Sequence, residues 1–176
     1  RGDPDEALRN WKAIDFETAA ADAGLVATAL RRFDEWDASP QGRAVAAQPL
    51  LSIERIGDAP LRTLPPLAES QPPLAGLRVL DLTGVLAGPV GWRALARFGA
   101  GVMLVNSPNL PNIEAIADTS RGKLSAHVDL RNEAGRAALA GLLAEAHVFV
   151  QGYRPGGIPD LGFGPDVPRA LGRAGH

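Results

Sequence analysis

Gly76-Leu-Arg-Val-Leu-Asp-Leu-Thr-Gly-Val-Leu-Ala-Gly-Pro-Val-Gly-Trp-Arg-Ala-Leu-Ala-Arg-Phe-Gly99 decides the fold. Leu77, Val79, Leu80 and Leu82 make a short apolar run, as a strand covered on both faces requires. Gly84 and Gly88 bracket a turn where the backbone can approach a ligand, since neither carries a Cβ. Pro89 suits the first position of a helix, where its missing N–H costs nothing. Val90, Ala94, Leu95 and Phe98 then share one helical stripe, which predicts the buried face, and Gly99 stands where a C-terminal stop belongs. The run Gly101-Val-Met-Leu-Val105 predicts a second strand, parallel to the first across a right-handed crossover. The unit is β-α-β.

Downstream, residues 106–122 are polar and proline-broken and predict an excursion over the strand ends. Residues 124–130 read as a strand. Asn132 can cap a helix whose buried stripe is Leu139, Leu142, Leu143 and Ala146. His147-Val-Phe-Val150 predicts another parallel strand, turned by residues 151–157, and the tail to His176 predicts at most a short helix. Upstream, prolines at 60, 65, 66, 72 and 73 describe an extended connector over residues 57–73. Before it, residues 1–56 read as a small α+β segment. Helices are expected from Pro4 to about Ala13, from an Asp15 cap through Ala21, at Phe33–Trp36, and from a Ser39 cap through Ala47. Strands are expected at 25–30 and 50–56. The fold class is therefore α/β, a Rossmann-like parallel sheet with flanking helices over 74–176, preceded by the smaller segment. The sequence shows no internal repeat.

Length and composition set the function classes. A chain of 176 residues accommodates one domain with a core plus an appended piece. A net charge of −2 with scattered Lys and Arg argues against a nucleic-acid partner. The absence of cysteine removes disulfides, thiolate catalysis and the usual zinc sites, and fits a reducing, cytoplasmic setting. No apolar run reaches the roughly 18–20 residues that span a bilayer, and no signal peptide is recognisable. The opening Arg1-Gly2-Asp3, without an initiator methionine, reads as a processed or excised chain; the adhesion tripeptide it spells carries little weight at a terminus.

The glycine turn alone meets neither the dinucleotide nor the P-loop pattern: Gly84, Gly88 and Gly91 do not space as G-x-G-x-x-G, and no Gly-Lys-Ser/Thr follows. A wider set of motifs is more specific. Pro73-Leu-Ala-Gly-Leu-Arg-Val-Leu-Asp-Leu-Thr, Val85-Leu-Ala-Gly-Pro89, Phe98-Gly-Ala-Gly-Val102, Arg121-Gly-Lys-Leu-Ser, Val128-Asp-Leu-Arg131, Gly152-Tyr-Arg-Pro-Gly156 and Leu161-Gly162 occur in the order and spacing of the family III CoA-transferases. The chain resembles the amino-terminal segment of that family, which includes formyl-CoA and carnitine CoA-transferases and α-methylacyl-CoA racemase. The first 60 residues, with Phe33-Asp-Glu-Trp36, Pro40-Gln-Gly-Arg43 and Gly57-Asp-Ala-Pro60, resemble the family's small domain, which ordinarily follows those motifs. A fused, two-copy member with this chain across its junction accounts for the inverted order.

The resemblance implies an enzyme acting on acyl-CoA thioesters, with a carboxylic acid as acceptor and no metal. In the transferases an aspartate attacks the thioester and holds the acyl group as a mixed anhydride; in the racemase an aspartate and a histidine exchange the α-proton. No residue here matches the catalytic aspartate, so the expected catalytic set is empty, and Asp81 and Asp129 read as turn or capping groups. Val85, Leu86, Ala87, Gly88 and Pro89 match the loop that passes the CoA. Val128, Leu130 and Arg131 match the stretch beside its adenine, and Gly152, Tyr153 and Arg154 the loop along its pantetheine and phosphates. Lys123 matches a basic position suited to a phosphate. Ser107, Leu124 and Asp160 stand where relatives often have arginine, which favours weakened CoA binding or a non-catalytic scaffold half. The family implies a homodimer or pairing with another copy of its fold. His127, His147 and His176 are scattered without spaced carboxylates, and Ser125 lacks an orienting acid. Trp11, Trp36 and Trp92 read as packing anchors, with Trp92 on the helix face away from Val90 and Phe98, suited to a subunit contact.

Overall fold

The computed structural model describes residues 3–58 and 62–164. The chain divides into two compact units between Glu54 and Arg55. The second is built on four parallel strands, β1 (Arg78–Leu82), β2 (Gly101–Asn106), β3 (Leu124–His127) and β4 (Val148–Gln151), in the order β3-β2-β1-β4. Val79 lies opposite Val102 on one side and Val148 on the other, so β1 is central. The first unit holds α1 (Pro4–Leu8), α2 (Ala13–Asp22), α3 (Phe33–Asp37) and α4 (Pro40–Ala46), and the second contributes α5 (Ala87–Arg97), α6 (Ile116–Thr119) and α7 (Glu133–Glu145).

Side-chain alternation along β1 assigns the two layers. Leu80 and Leu82 point into a cluster with Val105, Leu139, Leu143 and Phe163, which is the α7 face. Val79 points the other way, to Ala100 and Val102, against Trp92, Leu95 and Ala96 of α5. α7 starts where Asn132 Oδ1 accepts from Gly135 N at 2.7 Å, and Leu139 on its inner stripe is completely buried. Its last carbonyls, of Ala144 and Ala146, accept from the Arg62 guanidinium at 2.8 and 3.3 Å, so the described part of the proline-rich connector is pinned rather than loose. Gly99 takes φ +98°, and the side chain of Pro72 occupies the space a Cβ there would need.

Several expectations need correction in this unit. Pro89 is the third residue of α5, not the first, because the turn feeds the helix from Leu86. The inner face of α5 is Pro89, Trp92, Leu95 and Ala96, whereas Val90 and Phe98 are exposed. Trp92 is therefore part of the core layer, where its large ring covers more of the sheet than Val90 would. β3 ends at His127 rather than at 130: Val128 N makes the last bond to β2, donating to the Asn106 carbonyl at 2.9 Å, and its side chain enters the α7-side core. A short 3-10 turn, Pro159–Leu161, follows β4; the rest of the expected tail, residues 165–176, lies outside the described residues.

In the first unit, Asp3 and Ser39 cap α1 and α4 through Asp5 N and Gly42 N. α1 stops five residues short of the expected Ala13, and α2 begins after Lys12, two residues ahead of the expected Asp15 cap. The strands expected at 25–30 and 50–56 do not form. Residues 25–32 are irregular, tied back by Ala29 N and Arg31 to the Glu17 carboxylate, and a strand pattern without a neighbouring ladder is not a strand. Of the unit's described residues only Ala20 and Gly42 are buried.

Candidate functional site

The carboxyl ends of β1, β2 and β4 open onto two cavities, where open α/β sheets receive ligands. The first, of about 340 Å³, is lined by Thr83, Val85, Pro89, Asn106, Ile116 and Arg154, among others. The second, of about 280 Å³, takes in Leu82, Val128, Leu130, Arg131 and Leu161. Tyr153, Asn106, Ser107 and Leu110 line both, so the two form adjoining compartments around the end of β2. Together they have the size and mixed apolar and polar lining of a small-molecule site.

The floor of the first compartment is the β1–α5 loop. Asp81 Oδ1 accepts from Thr83 N at 2.9 Å and from Thr83 Oγ1 at 2.6 Å, which starts a tight turn off the strand. Val85 follows at φ +67°, a conformation that costs a β-branched residue about 1–3 kcal/mol. Leu86 occupies the N-cap position of α5 and offers no side-chain acceptor, so the first-turn N–H groups are uncapped by a side chain. A Cβ on Gly88 would lie 2.5 Å from Thr83 Cβ, so only glycine lets the loop close on itself.

The charges near the second compartment are largely spoken for. Arg131 donates from Nε and Nη2 to the two oxygens of Asp129, each at 2.9 Å, and its backbone N adds a third bond at 3.1 Å. That pairing, with the Arg131 side chain first and its N–H second, holds the Asp129 carboxyl well below the ordinary carboxylate range. Partial burial pushes the Tyr153 phenol up from its ordinary value. Arg154 is exposed beside the first compartment.

Of the residues expected at the site, Val85, Pro89, Gly152, Tyr153 and Arg154 come together at the first compartment, and Val128, Leu130, Arg131 and Tyr153 at the second. Leu86, Ala87 and Gly88 shape the loop without lining either cavity. Lys123 is the departure. Its side chain has no exposure, and Nζ donates to Asp81 Oδ2 at 2.8 Å and to the Pro89 carbonyl at 2.9 Å, so it is not presented to a phosphate. Asp81 is equally enclosed, whereas Asp129, paired with Arg131, keeps partial exposure and lines the second compartment. Ser107 lines both compartments, Leu124 is exposed, and Asp160 is exposed next to Gly156. Thr83 and Asn106 line the site without having been expected there. The signal for Thr83 was its place two residues after an aspartate at a strand end; Asn106 carried none.

His147 Nδ1 accepts from Arg78 N at 3.0 Å, a structural role, and among the described residues no group of acidic and histidine side chains could hold a metal ion. Nor is any described helix long and apolar enough to cross a membrane.

Residues 74–172 match the model of CoA-transferase family III. The chain belongs to this family. It is 32% identical over 172 residues to an acyl-CoA transferase of Gibberella moniliformis, a match that covers 94% of this chain and 30% of that protein. It is 43% identical over 104 residues to the acetyl-coenzyme A transferase nodX of Hypoxylon pulicicidum, covering 57% and 18%. Among solved structures, Rv3272 of Mycobacterium tuberculosis matches at 35% identity and a TM-score of 0.52 over 56% of this chain and 30% of that one. A CaiB/BaiF family protein from Brucella suis matches at 31% identity and 0.51, over 58% and 31%. The chain thus spans less than a third of the length of each of these proteins. The match to the Gibberella protein is long enough to take in both units of this chain.

Proposed function

We propose that the four-stranded unit forms the CoA-binding end of an acyl-CoA transferase. The observation that carries this is the convergence of the Val85, Arg131 and Tyr153-Arg154 motifs on two adjoining compartments at the sheet's carboxyl edge. In this reading the nucleotide lies along Val128–Arg131, the pantetheine passes Tyr153 and the Val85 loop, and Arg154 meets a phosphate. The reacting carboxylate comes from the remainder of a family III protein. One of its oxygens attacks the thioester carbonyl, the carbon–sulfur bond breaks, and CoA leaves as thiolate with the acyl group held as an anhydride. The thiolate then attacks the enzyme-side carbonyl and releases the first acid as carboxylate. The acceptor carboxylate enters by the same two steps in reverse, so that CoA ends on the acceptor and the enzyme carboxylate is regenerated. Catalysis takes place where this unit meets the rest of such a protein, in the cytoplasm, as a dimer or in a pair with another copy of the family fold. The Gibberella match, running through both units, supports a member in which small-domain material precedes the sheet.

A second reading, a CoA-incompetent scaffold half, is favoured by the commitment of Arg131 to Asp129 and by Ser107, Leu124 and Asp160. Calorimetric titration of the chain with CoA and acetyl-CoA separates the two. Micromolar binding, weakened about tenfold by Arg154→Ala, supports the first; a folded chain that takes no CoA at millimolar concentration supports the second.

A further inference from the structure

Lys123 and Asp81 form an ion pair with no exposure on either side chain, reached from elements that are not neighbours in the sheet. Asp81 sits on central β1, and Lys123 directly precedes edge strand β3. Each partner also makes a second connection. Through Oδ1 the carboxylate holds Thr83, the first residue of the β1–α5 loop, and through Nζ the ammonium holds the carbonyl of Pro89, in the first turn of α5. Both ends of residues 83–89 are thereby fastened to one buried pair. The stretch between them contains the left-handed Val85 and the close approach of Gly88 to Thr83, two features that a free loop would relax.

A buried ion pair contributes little net stability compared with apolar groups filling the same space. What it adds here is direction, because an ammonium has several donors and this one spends two on different elements. We propose that the Asp81–Lys123 pair is a positioning clamp that holds the 83–89 loop, strained at Val85, in the shape that floors the first compartment. The clamp acts through the loop and touches no ligand. It rests on the CoA reading only for the identity of what the loop receives.

The test is the Asp81→Asn/Lys123→Met double variant of the whole chain. It leaves no orphaned charge, and the amide oxygen introduced at position 81 still accepts from Thr83, while the tie to Pro89 is gone. Hydrogen exchange needs no ligand. The amide of Val90, which closes the loop by donating to the Leu86 carbonyl at 2.9 Å, is expected to exchange about tenfold faster in the variant, with those of Val79 and Leu104 unchanged. Equal Val90 rates in both proteins, or a uniform rise that includes the strands, would overturn the clamp. CoA affinity, read by calorimetry, is expected to fall about tenfold in parallel. Adding Val85→Gly, which adopts the left-handed conformation without strain, is expected to recover about threefold of it. Loss of affinity with no change in loop exchange, or with no recovery on Val85→Gly, also counts against the clamp. If the unaltered chain takes no CoA, the CoA reading fails, and loop exchange alone decides the clamp.

Discussion

Asp129 and Arg131 stand two residues apart, yet the pair sets the charge of the second compartment. Because the carboxyl's folded pKa lies below its unfolded value, the stability it contributes is present above the ordinary carboxylate range and is lost as pH falls through the lower folded value. Arg131→Met is therefore expected to move the Asp129 titration, followed by NMR, upward towards the ordinary range. An unchanged titration would mean that the guanidinium is not the cause. Leu139 shows the other kind of dependence on a single residue. It is completely enclosed between α7 and the sheet, so Leu139→Ala is expected to cost about 2–5 kcal/mol in urea denaturation. Lys123 illustrates where reading by residue type stops. A lysine in a basic motif position suggests a phosphate, and only its depth under α5 shows that its charge is directed inwards.

Glycines in and around the helices separate propensity from packing. Gly91 in α5 and Gly141 in α7 are exposed, with nothing near the position of a Cβ. Gly91→Ala and Gly141→Ala are each expected to stabilise by about 0.5–1 kcal/mol. Gly88→Ala, one turn earlier in α5, would drive its methyl into Thr83 and is expected to destabilise by about 1–3 kcal/mol. Thermal denaturation of the three variants reads both signs at once. The same scale shows what the sequence could carry. β1, β2, β4 and α7 follow from apolar runs and an Asn132 cap, because those signals are local. The orientation of α5 does not follow. Val90, Ala94 and Phe98 recur at one helical spacing and Pro89, Trp92 and Ala96 at another, and the choice between the stripes belongs to the sheet beneath. Residues 25–30 and 50–56 have strand composition, but a strand also needs a ladder, which no pattern within one segment supplies. At the site, Val85 and Tyr153-Arg154 enter only through the resemblance to family III CoA-transferases, since nothing in their own chemistry marks them, and the structure brings them to one compartment. Asn106 was not legible, since its place in both compartments arises from the sheet order and from Ser125, whose Oγ accepts its amide at 3.0 Å.

Across the whole molecule the two units differ in how their apolar residues are used. The second builds two core layers; the first leaves Val26, Leu30, Phe33 and Ile53 more than four-fifths exposed. Local opening is easiest where few apolar contacts are broken. Backbone amides of α1 to α4 are accordingly expected to exchange much faster than those of β1 and β2 under native conditions, and comparable protection in both would refute this. Trp92 provides an optical counterpart. Its indole nitrogen is enclosed without an acceptor among the described residues, whereas Trp11 and Trp36 in the first unit are 49% and 41% exposed. An excited indole relaxes towards longer wavelengths when mobile water dipoles can reorient around it. The two exposed rings therefore emit to the red, and the enclosed one to the blue. The colour of the fluorescence distinguishes the units, and its blue component extinguishes only when the sheet itself comes apart.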